Sequence, residues 1–117
     1  MAPLQYVILW HDGIREPHFD LMFETLPGSA LSTWRSSAWP IESPTAVTRL
    51  KAHRRAYLEF EGELSERRGH VTRVGTGTCN VEVGEHAVWR VTILTGSSPQ
   101  TLILRPVQAE HWEAAPA

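Results

Sequence analysis

Residues 4–24 read LQYVILWHDGIREPHFDLMFE, two apolar runs joined by turn chemistry. The first run, Leu4–His11, is β-branched and aromatic with no breaker, and predicts a largely buried strand. Asp12-Gly13 favours a tight reversal, and Pro17 disfavours helix at Glu16. Residues 18–24 then alternate. Phe19, Leu21 and Phe23 share one face of a second strand, and His18, Asp20, Met22 and Glu24 share the other. The pair reads as a hairpin whose polar end, HDGIREPHFD (11–20), holds two histidines and two aspartates.

Outward from this hairpin the same chemistry repeats. Pro27-Gly28 supplies a turn before a short segment ending at Trp34. Residues 35–48, with Pro40, Pro44 and several serines, read as a long irregular connection. Strands are expected around Thr48–His53 and Tyr57–Leu64, followed by a polar turn, SERRGH (65–70). Two or three more strands are expected up to Gly96, with Gly75, Gly77 and Gly84 at bulges or turns. Residues 100–107 form a final strand, and 108–117 a tail frayed beyond Trp112. No amphipathic helix longer than two turns is visible. The expectation is an all-β, mainly antiparallel fold: a small closed or partly open barrel with little helix. One domain spans 1–117, with a core over about 4–107.

The chain has 117 residues, 42% hydrophobic and 21% charged, which suits one ordinary globular core. No apolar run approaches the roughly 18 residues of a membrane span. The amino terminus lacks a signal-peptide pattern, and a lone Cys79 has no disulfide partner. A cytoplasmic protein without membrane partners is expected. The net charge of −2 argues against nucleic-acid binding through bulk charge. Yet Arg49, Lys51, Arg54, Arg55, Arg67, Arg68 and Arg73 are 7 of the 11 basic residues. Glu59, Glu61, Glu63 and Glu66 lie among them, so the run is either a solvated strand face or a phosphate track.

His18 and Asp20 project from one strand face and can reach one cation. His11, at the end of the neighbouring strand, can approach them across the hairpin. Two imidazole nitrogens and a carboxylate suit manganese, zinc or iron and leave positions for water and substrate. The plainer reading is polarity beside a turn, with Asp20 merely hydrogen-bonded. Further along, His53 lies four residues before Tyr57, and on a strand 53, 55 and 57 share a face. A histidine, a tyrosine and Arg55 beside a cation are what phosphoryl transfer uses. Otherwise Tyr57 is a half-buried ring with its hydroxyl at the rim. His70 and Arg73 lie in the glycine-rich stretch, while His86 and His111 read as surface residues.

Taken in order, H11-(x6)-H18-F19-D20-L21-M22-F23-E24 resembles the metal-binding signature of the 3′-phosphoesterase domain of bacterial DNA ligase D. H53-R54-R55-A56-Y57 with F60-E61-G62 is similar to that family's second block. V74-G75-T76-G77-T78 is similar to its Gly-x-Gly segment, and Trp34 and Pro40 fall near its Trp-to-Pro-Lys-Gly element. The likeness runs from about Leu4 to Arg105. It implies a compact β-barrel with its site in a pocket on one side, and a manganese-type ion held by His11, His18 and Asp20. It also implies His53 as proton donor or transition-state stabiliser and Tyr57 as a hydrogen-bond donor to a phosphate oxygen. The implied activity is removal of a 3′-phosphate or terminal ribonucleotide from a DNA or DNA/RNA end in repair. Separate ligase or polymerase proteins would then use the hydroxyl.

The chain departs from that pattern at identifiable places. Met22 stands where the family has an arginine, Ile41 where it has the lysine of Pro-Lys-Gly, and Lys51-Ala52 where it has acidic residues. A methionine cannot replace a charge-assisted phosphate contact. Arg55, Arg68 and Arg73 are the candidates to supply that contact from other strands.

Two other functions fit parts of the pattern. His-x-Asp with a distant histidine (His53, His70 or His86) on a small barrel also describes a non-haem iron oxygenase. A non-catalytic nucleic-acid or partner-binding module is the other, with five tryptophans as stacking surfaces or as core.

Overall fold

A computed structural model of the chain describes residues 3–117. Its strands are β1 (Leu4–Asp12), β2 (His18–Glu24), β3 (Leu31–Ser36), β4 (Thr45–His53), β5 (Gly62–Glu63), β6 (His70–Val83), β7 (Trp89–Ile93), β8 (Thr101–Gln108) and β9 (His111–Pro116). Neighbours run in the order β1-β2-β3-β4-β9-β8-β7-β6-β5, and a β1–β6 pairing joins the ends. Eight strands thus close an antiparallel barrel, with β5 as a short addition beside β6. The helical segments among the described residues are two 3-10 turns, Arg55–Leu58 and Glu85–Ala87. No helix among those residues is long and apolar enough to cross a membrane.

Both faces of the β1–β2 hairpin are buried, and they serve different ends. Tyr6, Ile8, Leu21 and Phe23 join Trp34, Trp89, Trp112 and the β7–β8 aliphatics in one cluster inside the barrel. By the period-2 rule the alternate residues face outward. There Val7, Leu9 and Met22 pack with Leu31, Leu58 and Val71, beneath Tyr57 and Leu64. The segment 55–64 is therefore a cover lying on the outer wall. Cys79 is fully buried in the interior cluster, where burial, with Glu24 nearby, pushes its thiol up to about 12. Burial, then Cys79, likewise raises the Tyr6 hydroxyl above its ordinary value.

Several boundaries differ from the sequence expectation. The residues read as a frayed tail form β9, which pairs with both β4 and β8 and buries Trp112 and Ala114. The irregular connection shrinks to 37–44, because β3 extends to Ser36 and β4 begins at Thr45. The strand expected over 57–64 is a 3-10 turn followed by the two-residue β5. The glycine-rich stretch is one 14-residue strand, β6. Its bulge falls opposite Ile8 and Leu9, between Gly75 and Arg73.

Candidate metal centre

The hairpin register sets His11 opposite His18 and Leu9 opposite Asp20. His11, His18 and Asp20 each offer one ligand atom, and these atoms lie within 4.8 Å of one another. His18 Nε2 is 3.3 Å from Asp20 Oδ1, and His11 Nδ1 is 3.8 Å from Asp20 Oδ2. His18 and Asp20 are both buried.

The other nitrogen of each ring fixes its tautomer. His11 Nε2 lies 2.6 Å from the Arg68 carbonyl, and His18 Nδ1 lies 2.8 Å from the Glu16 carbonyl. A carbonyl only accepts, so each of these nitrogens carries hydrogen and donates. In the neutral rings His11 Nδ1 and His18 Nε2 are then bare lone pairs aimed at a carboxylate. His18 Nε2 and Asp20 Oδ1 are buried with no hydrogen-bond partner. Two acceptors facing each other away from water are unfavourable until a cation or proton sits between them. A divalent ion fits this donor set, and the carbonyl-anchored rings are the usual outer support of histidine ligands.

The Arg68 carbonyl reaches His11 because Gly69 turns the chain beside it. Gly69 has φ +90°, and a Cβ there would run into the Asp12 carbonyl and Ile14 and come 3.1 Å from His11 Nε2. The turn read simply as polar in the sequence thus props a candidate ligand.

A cleft of about 130 Å³ opens beside the triad, lined by His11, Asp20, Met22 and Leu9 on the barrel wall. His53, Tyr57, Leu64 and Arg68 close it from the cover side, and Arg35 joins from β3. His53 and Tyr57 do meet, with ring centroids 5.6 Å apart, though not by strand alternation. His53 ends β4, and the 3-10 turn brings Tyr57 back over it. His53 Nδ1 donates to the Lys51 carbonyl at 2.8 Å, which leaves Nε2 free to handle a proton.

The three arginines assigned to phosphate fare differently. Arg68 lines the cleft, its guanidinium steadied by the Ser65 carbonyl and hydroxyl at 3.0 and 2.9 Å. Arg55 instead pairs with the buried Glu24 and donates to the Ser29 carbonyl, so its charge is committed. Burial pushes the Glu24 carboxyl up, but the Arg55 guanidinium and the Gln5 and Gly28 N–H groups together hold it below its ordinary value. Arg73 donates to the Leu58 carbonyl at 3.3 Å and lies 3.8 Å from Glu61, bracing the cover from beneath. The residue missed in the sequence is Arg35. It is exposed, forms no ion pair among the described residues, and sits directly opposite Asp20 in the β2–β3 register. A hairpin folded symmetrically about Pro27-Gly28 would have revealed it.

Other residues fall outside this site. Ile41 is in the interior core at 1% exposure. His70 lies 3.9 Å from Asp12, and His86 belongs to the second 3-10 turn, so neither joins the triad. Trp34, Trp89 and Trp112 are core, and none of the five tryptophans lines the cleft. No protein-family model and no curated protein matches the chain.

Proposed function

We propose that this protein is a metal-dependent phosphoesterase acting on nucleic-acid 3′ ends, removing a 3′-phosphate or a terminal ribonucleotide in DNA repair. One observation carries the reading. His11, His18 and Asp20 converge, with His18 Nε2 and Asp20 Oδ1 buried and unpartnered, beside a cleft that His11 and Asp20 line together with His53, Tyr57, Arg35 and Arg68. A divalent ion, manganese by preference, would be held by His11, His18 and Asp20 and would polarise a phosphate oxygen. Zinc suits the same ligands.

The remaining roles belong to the chain itself. Arg35 and Arg68 bind the non-bridging phosphate oxygens, taking over the charge that Met22 and Ile41 cannot supply. The Tyr57 hydroxyl donates to one of those oxygens and orients the ester. As water attacks phosphorus and the P–O3′ bond breaks, His53 in its imidazolium form delivers a proton from Nε2 to the departing 3′ oxygen. The proton of the attacking water stays on the phosphate product or returns to Nε2. The products are a 3′-hydroxyl end and inorganic phosphate, or a released nucleoside phosphate where a terminal ribonucleotide is removed. A separate ligase or polymerase would consume the hydroxyl.

The test is manganese-dependent cleavage of a labelled primer–template ending in a 3′-phosphate or a ribonucleotide, beside a His18→Ala control. Turnover that disappears in the control supports the reading. Metal binding without turnover on either end would overturn it and favour a metal-containing binding module.

A further inference from the structure

A second cleft, of about 260 Å³, adjoins the first and shares Tyr57, Leu64 and Arg68 with it. Its remaining wall includes Arg54, Phe60 and one carboxylate, Glu63. Tyr57 and Phe60 stand nearly perpendicular, at 86° with centroids 6.1 Å apart, forming an aromatic corner. Phe60 is 36% exposed, so a large apolar ring is left uncovered here. Arg54 is exposed and forms no ion pair among the described residues. Tyr57 therefore faces the metal-side cleft on one side and an aromatic, cation-flanked space on the other.

We infer that this second cleft receives an unpaired nucleobase of the substrate strand, stacked in the Tyr57–Phe60 corner while the neighbouring phosphoester occupies the metal-side cleft. An aromatic corner takes any base by its π-face, and arginine adds cation–π attraction and charge for the backbone. Continuity of the two clefts through Tyr57 and Arg68 matches the continuity of a nucleotide chain, base beside phosphate. A base can enter only when it is splayed from a duplex, so the preferred substrate is a frayed or single-stranded end. The inference rests on the phosphoesterase reading for the phosphate's position alone.

Binding separates the two ideas without turnover. Fluorescence anisotropy of a 5′-labelled oligonucleotide ending in a 3′-phosphate is compared with the same strand carrying an abasic terminal unit, in DNA and RNA forms. The intact end should bind about tenfold more tightly than the abasic one in at least one polymer, which identifies the favoured strand. Phe60→Ala should erase that difference and Phe60→Trp should preserve it. Equal binding of intact and abasic ends by the unaltered protein would overturn the inference, as would a Phe60→Ala loss shared by both ends. A base-dependent difference with no cleavage of any end would leave the cleft assigned and remove only the phosphoesterase reading.

Discussion

The barrel interior and its outer wall each hold charged or polar groups among apolar side chains, and they solve that problem in opposite ways. Inside, the Arg49 guanidinium lies 5.0 Å from the Trp34 ring centroid and 5.1 Å from those of Trp89 and Trp112. The three ring faces satisfy the cation on a half-buried side chain. Outside, on the outer face of the β1–β2 hairpin, His18 Nε2 and Asp20 Oδ1 face each other unpartnered. The indole N–H groups of Trp34 and Trp39 are unpartnered too. They are donors only and cannot hold a cation. The difference separates a polar group already met by its neighbours from a cluster that could hold an ion: a cation over ring faces versus converging lone pairs.

The contrast can be broken at its support first. Gly69→Ala drives a Cβ into the Asp12 carbonyl and disturbs the His11 contact to Arg68. Manganese affinity should fall about 10–100-fold, the usual result of losing an outer-shell partner, measured by titration. Next comes the interior cage. Arg49→Met removes the cation from three rings and should cost about 2 kcal/mol in urea unfolding, leaving metal affinity unchanged. A change in metal affinity there would show that the two regions are coupled.

Glu24 gives a smaller, pH-dependent effect. Its carboxyl is held below the ordinary value in the folded state, so its stabilisation is full above the unfolded carboxylate pKa. It fades as pH falls through the folded value. Glu24→Gln should therefore narrow the stability gap between neutral and acid unfolding, and Arg55→Ala should do the same. Cys79 should show no effect at all: buried and pushed up to about 12, it should resist a thiol reagent until the barrel unfolds.

The hairpin and its candidate ligands were legible because a period-2 pattern names both faces of a strand at once. His18 and Asp20 followed from alternation, and His11 from the reversal at Asp12-Gly13. Long-range pairing was not legible. HWEAAP (111–116) has weak strand propensity, and it becomes β9 only because β4 and β8 offer two edges to one short segment. Arg35 is not legible at the cleft because its place there depends on register opposite Asp20, not on its neighbours in sequence. His53 and Tyr57 were paired on strand alternation, whereas a 3-10 turn brings them together. Arg55 looked free because its partner, Glu24, is 31 residues away.

Manganese titration of the folded protein, followed by loss of the free-ion paramagnetic signal and set beside Asp20→Asn, goes to the heart of the matter. One ion per chain should bind the unaltered protein. The isosteric amide should weaken binding by more than the roughly 100-fold that outer-shell losses reach. No saturable binding, or equal binding by Asp20→Asn, would contradict a metal centre at His11, His18 and Asp20.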